Sequence, residues 1–509
     1  MWWKLQEKLE LASNRLIKEH EEYAKWVIDE NARRSRRCAE TPELLSVQRP
    51  PTWQKTPGFN PYLVRARASS IAHAMTARLK GGYYVPHAPA RFQVDKAGGG
   101  KRTITTFEIA DEVISNRLLR SLSRKNLSKM SSRSYAYRSG LSPHDALSYA
   151  RYELKTKHRL FVAEYDFTKF FDRIDHDYLF KAMRRLDIIM TPLEESLIRS
   201  FLSIRPIEIE STGGDEINSG AVGLAQGTSI SLFLANIAAT EMDRELERLG
   251  VGFVRYADDT LVWSSDYGRI CSAAELLHEA AEQIGSPINV KKSEGIRLLV
   301  RNAGAKTELN KATSINYLGH SLTLRDMRIG ENAVDRIKQK ISGFIYNNLI
   351  REPLRQQQSP SQLTVNDRDY VTCLLQIRRY IYGPLSEKEI RRYLDGTVPF
   401  MRFEGVMAFY PLVNDNAQLR ALDGWLSNQV WLATRRRHNL LTEQGLPTPR
   451  PLGLSKQELI GFKTTSSTSG RDVDLRIPSF LRISKVLREA TETYGFGVVP
   501  GGATLYAYD

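Results

Sequence analysis

Residues 253–263 of this 509-residue chain read Phe-Val-Arg-Tyr-Ala-Asp-Asp-Thr-Leu-Val-Trp. Two short apolar, β-prone runs flank Asp258 and Asp259, which predicts a β-hairpin with both carboxylates at its tip. Adjacent carboxylates beside apolar residues repel each other and are poorly solvated. A hard divalent cation such as Mg²⁺ relieves that repulsion, because it binds oxygen ligands. The hairpin alone is equally compatible with an ordinary exposed turn, in which aspartate is common.

A second strand that ends in an acid lies upstream, at residues 159–166. This apolar run ends in Asp166, and residues 167–176 then turn into a helix. Asp166 meets Asp258 if the two strands are neighbours in one sheet, with the chain between them as a crossover excursion. That excursion contains a glycine-bracketed helix entrance at residues 223–231, followed by an apolar helix over residues 232–249.

The composition describes a soluble globular protein of two to four domains, with 41% hydrophobic and 26% charged residues. No run of 18 apolar residues occurs, so no membrane association is expected. The three cysteines are far apart and suit a reducing compartment, which predicts a cytoplasmic protein. The nine histidines are scattered, and the sequence assigns no metal to them.

A formal net charge of +15 indicates a polyanionic partner. Much of the charge lies in arginine-rich runs at residues 33–37, 378–379, 391–392 and 435–437. Each run by itself is typical of a solvated helix face. Together with the aromatic residues between them, the runs favour nucleic acid as the partner.

A basic hairpin is predicted nearer the N-terminus. Residues 92–96 and 101–105 form two strand patterns joined by the glycines 98–100. Lys101 and Arg102 follow these glycines and are suited to a triphosphate, because a guanidinium binds phosphate oxygens bidentately. A basic surface hairpin without a ligand fits the same residues.

With these pieces in order, residues 90–325 resemble a reverse transcriptase of the bacterial kind. The matching motifs are Tyr256-Ala257-Asp258-Asp259, Asp166 with residues 170–176, Gln226-Gly227-Thr228 with Ser231 and Asn236, Asn289 with Lys292 and Ser293, Tyr317-Leu318-Gly319, and Arg102 with residues 134–140. One Tyr-x-Asp-Asp box is a weak signal, whereas several boxes in the family's order are specific. Ala225 and Leu232 depart from the family, which usually has proline at both positions.

The resemblance implies an α+β, right-hand polymerase fold with fingers, a palm made of an antiparallel sheet on helices, and an α-helical thumb. We expect a helical extension at 1–55, fingers at 56–155, a palm at 156–325 with a fingers insertion within about 178–222, a basic helical thumb at 326–445, and a C-terminal extension at 446–509. The patterns also predict a helix over 273–284 and one strand over 315–322. The N-terminal helix is equally compatible with an RNA-binding arm, with an arm that forms a homo-oligomer, and with simple packing on the body.

The resemblance also implies the site. Asp166 and Asp258 are expected to bridge two Mg²⁺ ions, or Mn²⁺, with the carbonyl of Phe167 and the carboxylate of Asp259 as further ligands. The residues expected to bind the deoxynucleoside triphosphate are Lys101, Arg102, Arg138, Phe171, Gln226, Tyr256 and Lys292. Among these, Phe171 is expected to exclude a 2′-hydroxyl, and Lys292 to donate a proton to pyrophosphate. The residues expected to contact nucleic acid are Tyr317, Gly319, Arg378, Arg379, Arg391, Arg392, Arg435 and Arg436.

Within the family, the chain most resembles the defence-associated, abortive-infection-like reverse transcriptases of bacteria. This rests on the Gln-Gly-Thr-Ser variant and the long basic C-terminal half, and on the lack of a retron Val-Thr-Gly box, an endonuclease cysteine motif and a recognisable RNase H acid cluster. The implied function is cDNA synthesis on a dedicated structured non-coding RNA, with an RNA/DNA duplex as product, in the bacterial cytoplasm.

Other functions stay open at this stage. Relatives of this kind also extend a protein hydroxyl or synthesise DNA without a template, and Tyr506 and Tyr508 are then candidate primers, although ordinary tail residues are more common. A maturase-like RNA-binding protein would keep the basic surface but tolerate loss of an acid, and all three acids are present. An RNA-dependent RNA polymerase would favour a small or polar residue in place of Phe171.

Overall fold

The computed structural model describes residues 2–95, 101–208, 221–290, 293–302, 304, 310–398, 400–465 and 472–500. By its contacts the chain separates into two units, which we call unit 1 (residues 1–25 and 47–313) and unit 2 (residues 26–46 and 314–508). The first helix, α1 (Trp2–Arg37), contributes residues to both. The mixture of helices with largely antiparallel sheets is the predicted α+β class.

Unit 1 contains both helices and strands. The helices are α2 (Pro61–Ala66), α3 (Ala68–Lys80), α4 (Ile109–Lys125), α5 (Pro143–Lys155), α6 (Phe170–Arg173), α7 (His176–Arg185), α8 (Pro192–Ser203), α9 (Ser229–Arg248) and α10 (Tyr267–Ile284). The strands are β1 (Ala90–Asp95), β2 (Lys101–Thr106), β3 (Arg159–Tyr165), β4 (Ile207–Glu208), β5 (Gly252–Tyr256), β6 (Asp259–Ser264), β7 (Arg297–Val300) and β8 (Lys311–Ala312).

A five-stranded sheet with the order β5-β6-β3-β7-β8 forms the centre of unit 1. Its first four strands are antiparallel, and β8 runs parallel to β7. Leu261 and Val262 are consecutive in β6 and point to opposite faces, yet both are fully buried. Side chains therefore cover the sheet on both faces, and the predicted neighbourhood of β3 and β6 is confirmed.

Helix α9 packs beneath this sheet and is buried almost all round, with Phe233, Leu234 and Ile237 each at most 1% exposed. A helix that is apolar on all sides is typical of a domain interior. It begins at Ser229, three residues before the predicted start. Helix α10 likewise begins at Tyr267 rather than at residue 273, because the side chain of Asp266 caps its first turn.

The predicted basic hairpin is present as the antiparallel pair β1–β2, and β4 adds to β1 in parallel. The glycines 98–100 lie outside the described residues. Strand β4, which belongs to the segment predicted as a fingers insertion, thus pairs with the sheet of the predicted fingers, with Ala90 opposite Ile207.

Unit 2 is mostly helical. Its elements are β9 (Ile315–Tyr317), β10 (His320–Leu322), β11 (Met327–Ile329), α11 (Glu331–Ile345), a π-helical turn (Tyr346–Ile350), α12 (Arg351–Leu354), α13 (Arg368–Tyr382), α14 (Glu387–Leu394), α15 (Asn416–Glu443), α16 (Lys456–Gly461), β12 (Lys463–Thr465), β13 (Asp472–Asp474) and α17 (Phe480–Tyr494). Residues of the predicted thumb and of the predicted C-terminal extension share one core, which includes Ile377, Leu426, Leu459 and Leu487. The C-terminal segment is therefore part of the same folded unit.

The prediction of one strand over residues 315–322 is wrong. Two strands, β9 and β10, form an antiparallel hairpin there, with Tyr317 paired to His320. Leu318 and Gly319 between them have φ values of +47° and +73°, the pattern of a type I′ turn. No described helix combines the length and the apolar character that crossing a membrane requires.

Candidate functional site

Three aspartates meet at one edge of the central sheet. Tyr165, the last residue of β3, pairs with Thr260 of β6, so Asp166 follows directly beyond that pair. On the other side of β6, Tyr256 pairs with Asp259, and Asp258 lies in the turn between β5 and β6. The strands that carry the acids are neighbours, and this places all three acids at the same end of adjacent strands.

The turn that carries Asp258 is tight. Only Ala257 and Asp258 separate β5 from β6. Ala257 has a φ of +59° and is buried, a conformation that alanine adopts less readily than glycine. Positive φ at the first central residue fits the right-handed twist of the flanking strands. A backbone held in such a conformation depends on the contacts around it.

The carbonyl of Phe167 is oriented by a short strand pairing. The amide of Thr168 donates to the carbonyl of Pro287 at 2.8 Å, and the amide of Asn289 donates to the carbonyl of Asp166 at 2.7 Å. These two bonds flank the bridge between Phe167 and Ile288. In such a pair the backbone groups of the central residue point away from the partner strand. The Phe167 carbonyl therefore faces away from residues 287–289.

These oxygen donors fit hard divalent cations, since carboxylate and carbonyl oxygens are the ligands that Mg²⁺ and Mn²⁺ prefer. The three aspartates are not drawn into one tight cluster. Among the described residues, a group of three acidic or imidazole side chains has its ligand atoms within 4.8 Å of one another only at His87, Glu108 and Asp111. Mutual repulsion of the carboxylates favours such an open arrangement.

The predicted helix entrance joins the sheet of β1 and β2 to α9. The amide of Thr105 in β2 donates to the carbonyl of Gln226 at 2.8 Å. Gly227 has a φ of +125°, and a Cβ there would lie 2.1 Å from the Thr105 carbonyl oxygen. Only glycine allows this approach of the two backbones. The side chain of Gln226 donates to Asp172 at 3.2 Å.

Two adjacent phenylalanines take different positions after Asp166. Phe170 is buried at 2% exposure, whereas Phe171 is half-buried and meets the ring of Tyr137 edge to face, with 6.2 Å between centroids. The amide of Leu224 donates to the Phe171 carbonyl at 2.6 Å and so fixes this turn beside the helix entrance. Phe170 is therefore a core residue, whereas the ring of Phe171 packs at the margin of the core and is partly exposed.

Comparison with known proteins agrees with this geometry. Residues 94–322 match the family model "Reverse transcriptase (RNA-dependent DNA polymerase)". The chain contains a reverse transcriptase domain. The predicted enzyme class, RNA-directed DNA polymerase, is thereby confirmed. The chain is also 25% identical over 305 residues to Protein YkfC of Escherichia coli strain K12, a match that covers 58% of this chain and 76% of YkfC.

Solved structures give weaker likenesses. Apo telomerase from Candida tropicalis, truncated from the C-terminal domain, has a TM-score of 0.38 and 13% identity over 51% of this chain and 60% of that chain. Telomerase from Candida albicans, in complex with a TWJ fragment of telomeric RNA, has a TM-score of 0.38 and 14% identity over 75% of this chain and 67% of that chain. At these scores neither likeness carries an argument about function.

Other predicted nucleotide-binding residues of the reverse transcriptase domain lie in varied settings. Tyr256 is half-buried in β5, and burial raises the pKa of its hydroxyl to about 12, which keeps the hydroxyl protonated at neutral pH. Arg138 is half-buried and donates to the carbonyls of Ser131 and Ser134, at 2.8 Å for the latter, so its guanidinium holds its own loop. Lys101 and Arg102 are described by their backbone in β2, and Lys292 lies outside the described residues.

The residues predicted to contact nucleic acid lie in unit 2, in three different settings. Tyr317 is buried in β9, and Gly319 forms the hairpin turn. The exposed arginines are Arg379, Arg391, Arg392, Arg435 and Arg436. Arg378 differs from them, because it is 7% exposed and donates to the carbonyls of Asp474 and Arg476. The prediction that Arg378 contacts phosphate is therefore replaced by a structural role, in which Arg378 ties α13 to the end of β13 and to the residues that follow it.

Sequence reasoning also missed a cluster of titratable groups in unit 1. His87 Nδ1 lies 3.2 Å from Asp111 Oδ2 and 3.3 Å from Glu108 Oε2. The hydrogen bond to Asp111 raises the pKa of His87, with further support from the negative charges of Asp111 and Glu108. Tyr84 donates to the other oxygen of Asp111, and Thr56 donates to Glu108. These contacts place the imidazole ring of His87 between two carboxylates.

Proposed function

We propose that the reverse transcriptase domain copies RNA into DNA by two-metal nucleotidyl transfer at the edge of the sheet formed by Asp166, Asp258 and Asp259. The single observation that supports this most is the register of β3 against β6, in which Tyr165 pairs with Thr260. That register brings acids from distant parts of the sequence to one sheet edge. An ordinary exposed turn that contains aspartate would not require a neighbouring strand that ends in a further acid.

The residues of the site have separate tasks in this mechanism. Asp166 and Asp258 would hold the cations, with Asp259 and the Phe167 carbonyl as further ligands. Two bound Mg²⁺ ions, or Mn²⁺, would stabilise the attacking 3′-oxygen and the leaving pyrophosphate in an in-line displacement at the α-phosphate. Lys101 and Arg102 would neutralise the triphosphate, and Lys292 would protonate the departing pyrophosphate.

Selection of the sugar would fall to Phe171. Its half-buried ring is braced by Tyr137 and Phe170, with ring centroids 6.2 Å and 6.0 Å away. A braced ring cannot move aside for a 2′-hydroxyl, so steric exclusion would favour deoxynucleoside triphosphates. Gln226 belongs to the segment hydrogen-bonded to β2, where it would contact the nucleotide or the template strand.

Binding of the template and primer would use the basic surface of unit 2. The exposed arginines of α13, α14 and α15 would contact phosphates of an RNA/DNA duplex without reading its sequence. The net charge of +15 supports a polyanionic partner of this kind.

Primer extension with purified protein tests the polymerase function. An RNA template with a DNA primer, deoxynucleotides and Mg²⁺ should give extended DNA, and Asp258→Ala should abolish it. The matched control is Asp266→Asn at the cap of α10, away from the three acids, which should keep full activity. The proposal would be contradicted if the wild-type protein did not extend the primer on RNA templates with either Mg²⁺ or Mn²⁺. It would also be contradicted if the protein extended the primer with ribonucleotides but not with deoxynucleotides.

We further propose that the template is a dedicated structured non-coding RNA and that the reaction serves anti-phage defence. This finer function rests on the resemblance to defence-associated reverse transcriptases. Sequencing the nucleic acids that co-purify with wild-type protein and with Asp258→Ala tests it. One RNA species with complementary DNA should appear with the wild type, and the DNA should be lost in the variant. A random set of cellular RNAs would contradict a dedicated template.

The origin of the primer can be decided on the same product. Protease treatment before electrophoresis changes the mobility of DNA that is linked covalently to protein. An unchanged mobility would exclude the protein-primed alternative, and DNA without any complementary RNA would favour synthesis without a template. A plaque assay that compares wild type with Asp258→Ala tests the defence role separately.

A further inference from the structure

Arg255 lies one residue before the Tyr-x-Asp-Asp box and is fully enclosed in unit 1, at 1% exposure. A buried guanidinium is unfavourable unless its five N–H groups find acceptors. Nε and Nη2 donate to the two carboxylate oxygens of Asp243, both at 2.7 Å. This bidentate pair anchors the guanidinium on α9.

The remaining N–H groups reach three further acceptors, one on α9, one in the loop before α5 and one in the turn between β5 and β6. Nη2 donates to Ser134 Oγ at 2.8 Å, and Nη1 donates to Asn236 Oδ1 at 3.2 Å. Nη1 also donates to the carbonyl oxygen of Ala257 at 2.9 Å. All five N–H groups are thus used, and one of them is directed at the turn that carries Asp258.

The Ala257 carbonyl belongs to the peptide group that joins Ala257 to Asp258. Fixing this carbonyl fixes the plane of that peptide, and with it the direction in which Asp258 leaves the turn. Ala257 has a φ of +59°, which an alanine does not favour by itself. The hydrogen bond from Arg255 is a contact that holds the turn in this conformation.

The same guanidinium network is tied to the loop before α5. The amide of Arg255 donates to the carbonyl of Arg133, and the amide of Tyr135 donates to the carbonyl of Arg255, both at 3.0 Å. Asn236 Nδ2 donates to the carbonyl of Ala136 at 2.7 Å. The turn, helix α9 and this loop therefore meet at one buried ion pair.

We infer that Arg255 is a positioning residue that sets the metal affinity of the aspartate turn through its hydrogen bond to the Ala257 carbonyl. This role rests on the proposed two-metal function. Groups that orient the ligands of a metal typically change metal affinity or activity about 10–100-fold when they are altered. A purely structural ion pair would change stability and leave the affinity for metal unchanged.

Arg255→Lys tests the inference, because lysine keeps the charge opposite Asp243 but cannot reach all of the acceptors. The direct readout is the affinity of the protein for Mn²⁺ in the absence of substrate, measured by electron paramagnetic resonance. We expect the affinity to fall about ten-fold. In primer extension, half-maximal Mg²⁺ should rise by a similar factor, with the KM for deoxynucleotide changed less than about two-fold.

The matched control is Arg437→Lys in unit 2. Arg437 is also fully buried and pairs with two carboxylates, Asp367 at 2.8 Å and Asp369 at 3.0 Å. This variant should lose stability to thermal unfolding without any change in Mn²⁺ affinity. Equal Mn²⁺ affinities of Arg255→Lys and the wild type would overturn the inference.

A second variant covers the case in which Arg255→Lys does not fold. Asn236→Ala leaves the ion pair intact but removes one acceptor of Nη1 and the bond to Ala136. A smaller loss of Mn²⁺ affinity is expected, and wild-type affinity would overturn the inference. If the wild-type protein makes no DNA, the proposed function fails, whereas the comparison of Mn²⁺ affinities still decides the role of Arg255.

Discussion

Tyr165 lies directly opposite Thr260 in the antiparallel pair of β3 and β6, so the chain places one acid beyond Tyr165 and another before Thr260. These acids, Asp166 and Asp259, belong to segments that are far apart in sequence. A sheet register is fixed strongly where strands are buried, since a shift by one residue would turn every side chain to the other face.

Removing a carboxylate from this end of the sheet should lower the catalytic rate without lowering the stability of the fold. Asp166→Asn is expected to lower the rate of primer extension roughly 10³-fold, since electrostatic stabilisation of the reacting phosphate depends on the bound cations. Without metal, its free energy of unfolding should equal or exceed that of the wild type, because one of three neighbouring negative charges is gone. Chemical denaturation with and without Mg²⁺ measures this, and a strongly destabilised variant would contradict a functional role for Asp166.

The contact between Gly227 and β2 leads to a second prediction. Gly227→Ala should lower the free energy of unfolding by roughly 2–4 kcal/mol, because the new Cβ meets the Thr105 carbonyl and the backbone is in the left-handed region. Gly424→Ala in α15 is the control. Nothing lies within 4 Å of a Cβ at Gly424, so this change should stabilise the helix by up to about 1 kcal/mol. Urea denaturation should give opposite signs for the two variants.

Sugar selection gives a third prediction. Phe171→Ala should raise the use of ribonucleotides relative to deoxynucleotides by about 10²-fold, because the ring that excludes the 2′-hydroxyl is lost. Phe201→Leu is the control, since Phe201 is a buried phenylalanine of α8 in the core of unit 1. It should reduce stability and leave the ratio unchanged. Single-nucleotide extension with each nucleotide measures the ratio, and an equal change in both variants would argue against Phe171 as the selecting residue.

The sequence predicted the parts of the fold that have a local signature. Strands β3, β5 and β6 are apolar runs next to the acids. Their pairing could be predicted because it brings the acids to the same end of one sheet. The turn at Leu318 was missed, because leucine rarely adopts a positive φ and no residue pattern marks it. The early start of α10 was readable, since Asp266 is a typical capping residue.

Buried arginines were the main error about the site. Arg378 follows Leu374 by four residues and therefore lies on the buried face of α13, whereas Arg379 points to solvent. That spacing was available in the sequence. The partners of Arg255 were not, because Ser134 and Asp243 reach it only through tertiary packing. Runs of charged residues therefore indicate candidate binding surfaces. Helical periodicity is needed to identify which residues of a run are buried and so cannot contact nucleic acid.

Acid stability provides a fourth prediction, at Glu194. Burial alone raises the pKa of this carboxyl, but hydrogen bonds from Lys125, Ser121 and Thr191 outweigh burial and lower the pKa to about 2. Because the pKa of Glu194 is lower in the folded than in the unfolded protein, its carboxylate stabilises the fold at pH values above the ordinary pKa of 4.5. This stabilisation is lost as the pH falls towards 2.

Glu194→Gln should therefore be less stable than the wild type by about 2 kcal/mol at pH 7, and the difference should shrink to nearly zero near pH 2. Glu195→Gln is the control, because its pair with Arg199 is exposed on one helix face and contributes less than about 0.5 kcal/mol. Denaturation at several pH values measures both differences. If the difference in free energy of unfolding between Glu194→Gln and the wild type stayed constant with pH, the lowered pKa of Glu194 would be contradicted.

Two consecutive arginines of α15 allow the last prediction to separate binding from folding. Arg436 is exposed, whereas Arg437 is fully buried and donates to Asp367, Asp369, Gln358 and the Leu349 carbonyl. Arg436→Gln should leave stability within about 0.5 kcal/mol of the wild type. It should weaken binding to an RNA/DNA duplex and reduce the salt dependence of that binding by about one phosphate contact.

Arg437→Gln should instead lower the free energy of unfolding by roughly 3–5 kcal/mol, because two carboxylates then remain buried without their partner. For the protein that stays folded, the slope of duplex affinity against salt should match the wild type. Fluorescence anisotropy over a range of salt concentrations, together with thermal unfolding, measures both quantities. If Arg436→Gln kept the wild-type slope, this end of α15 would not touch the duplex, and the phosphate contacts would have to come from Arg379, Arg391 or Arg392.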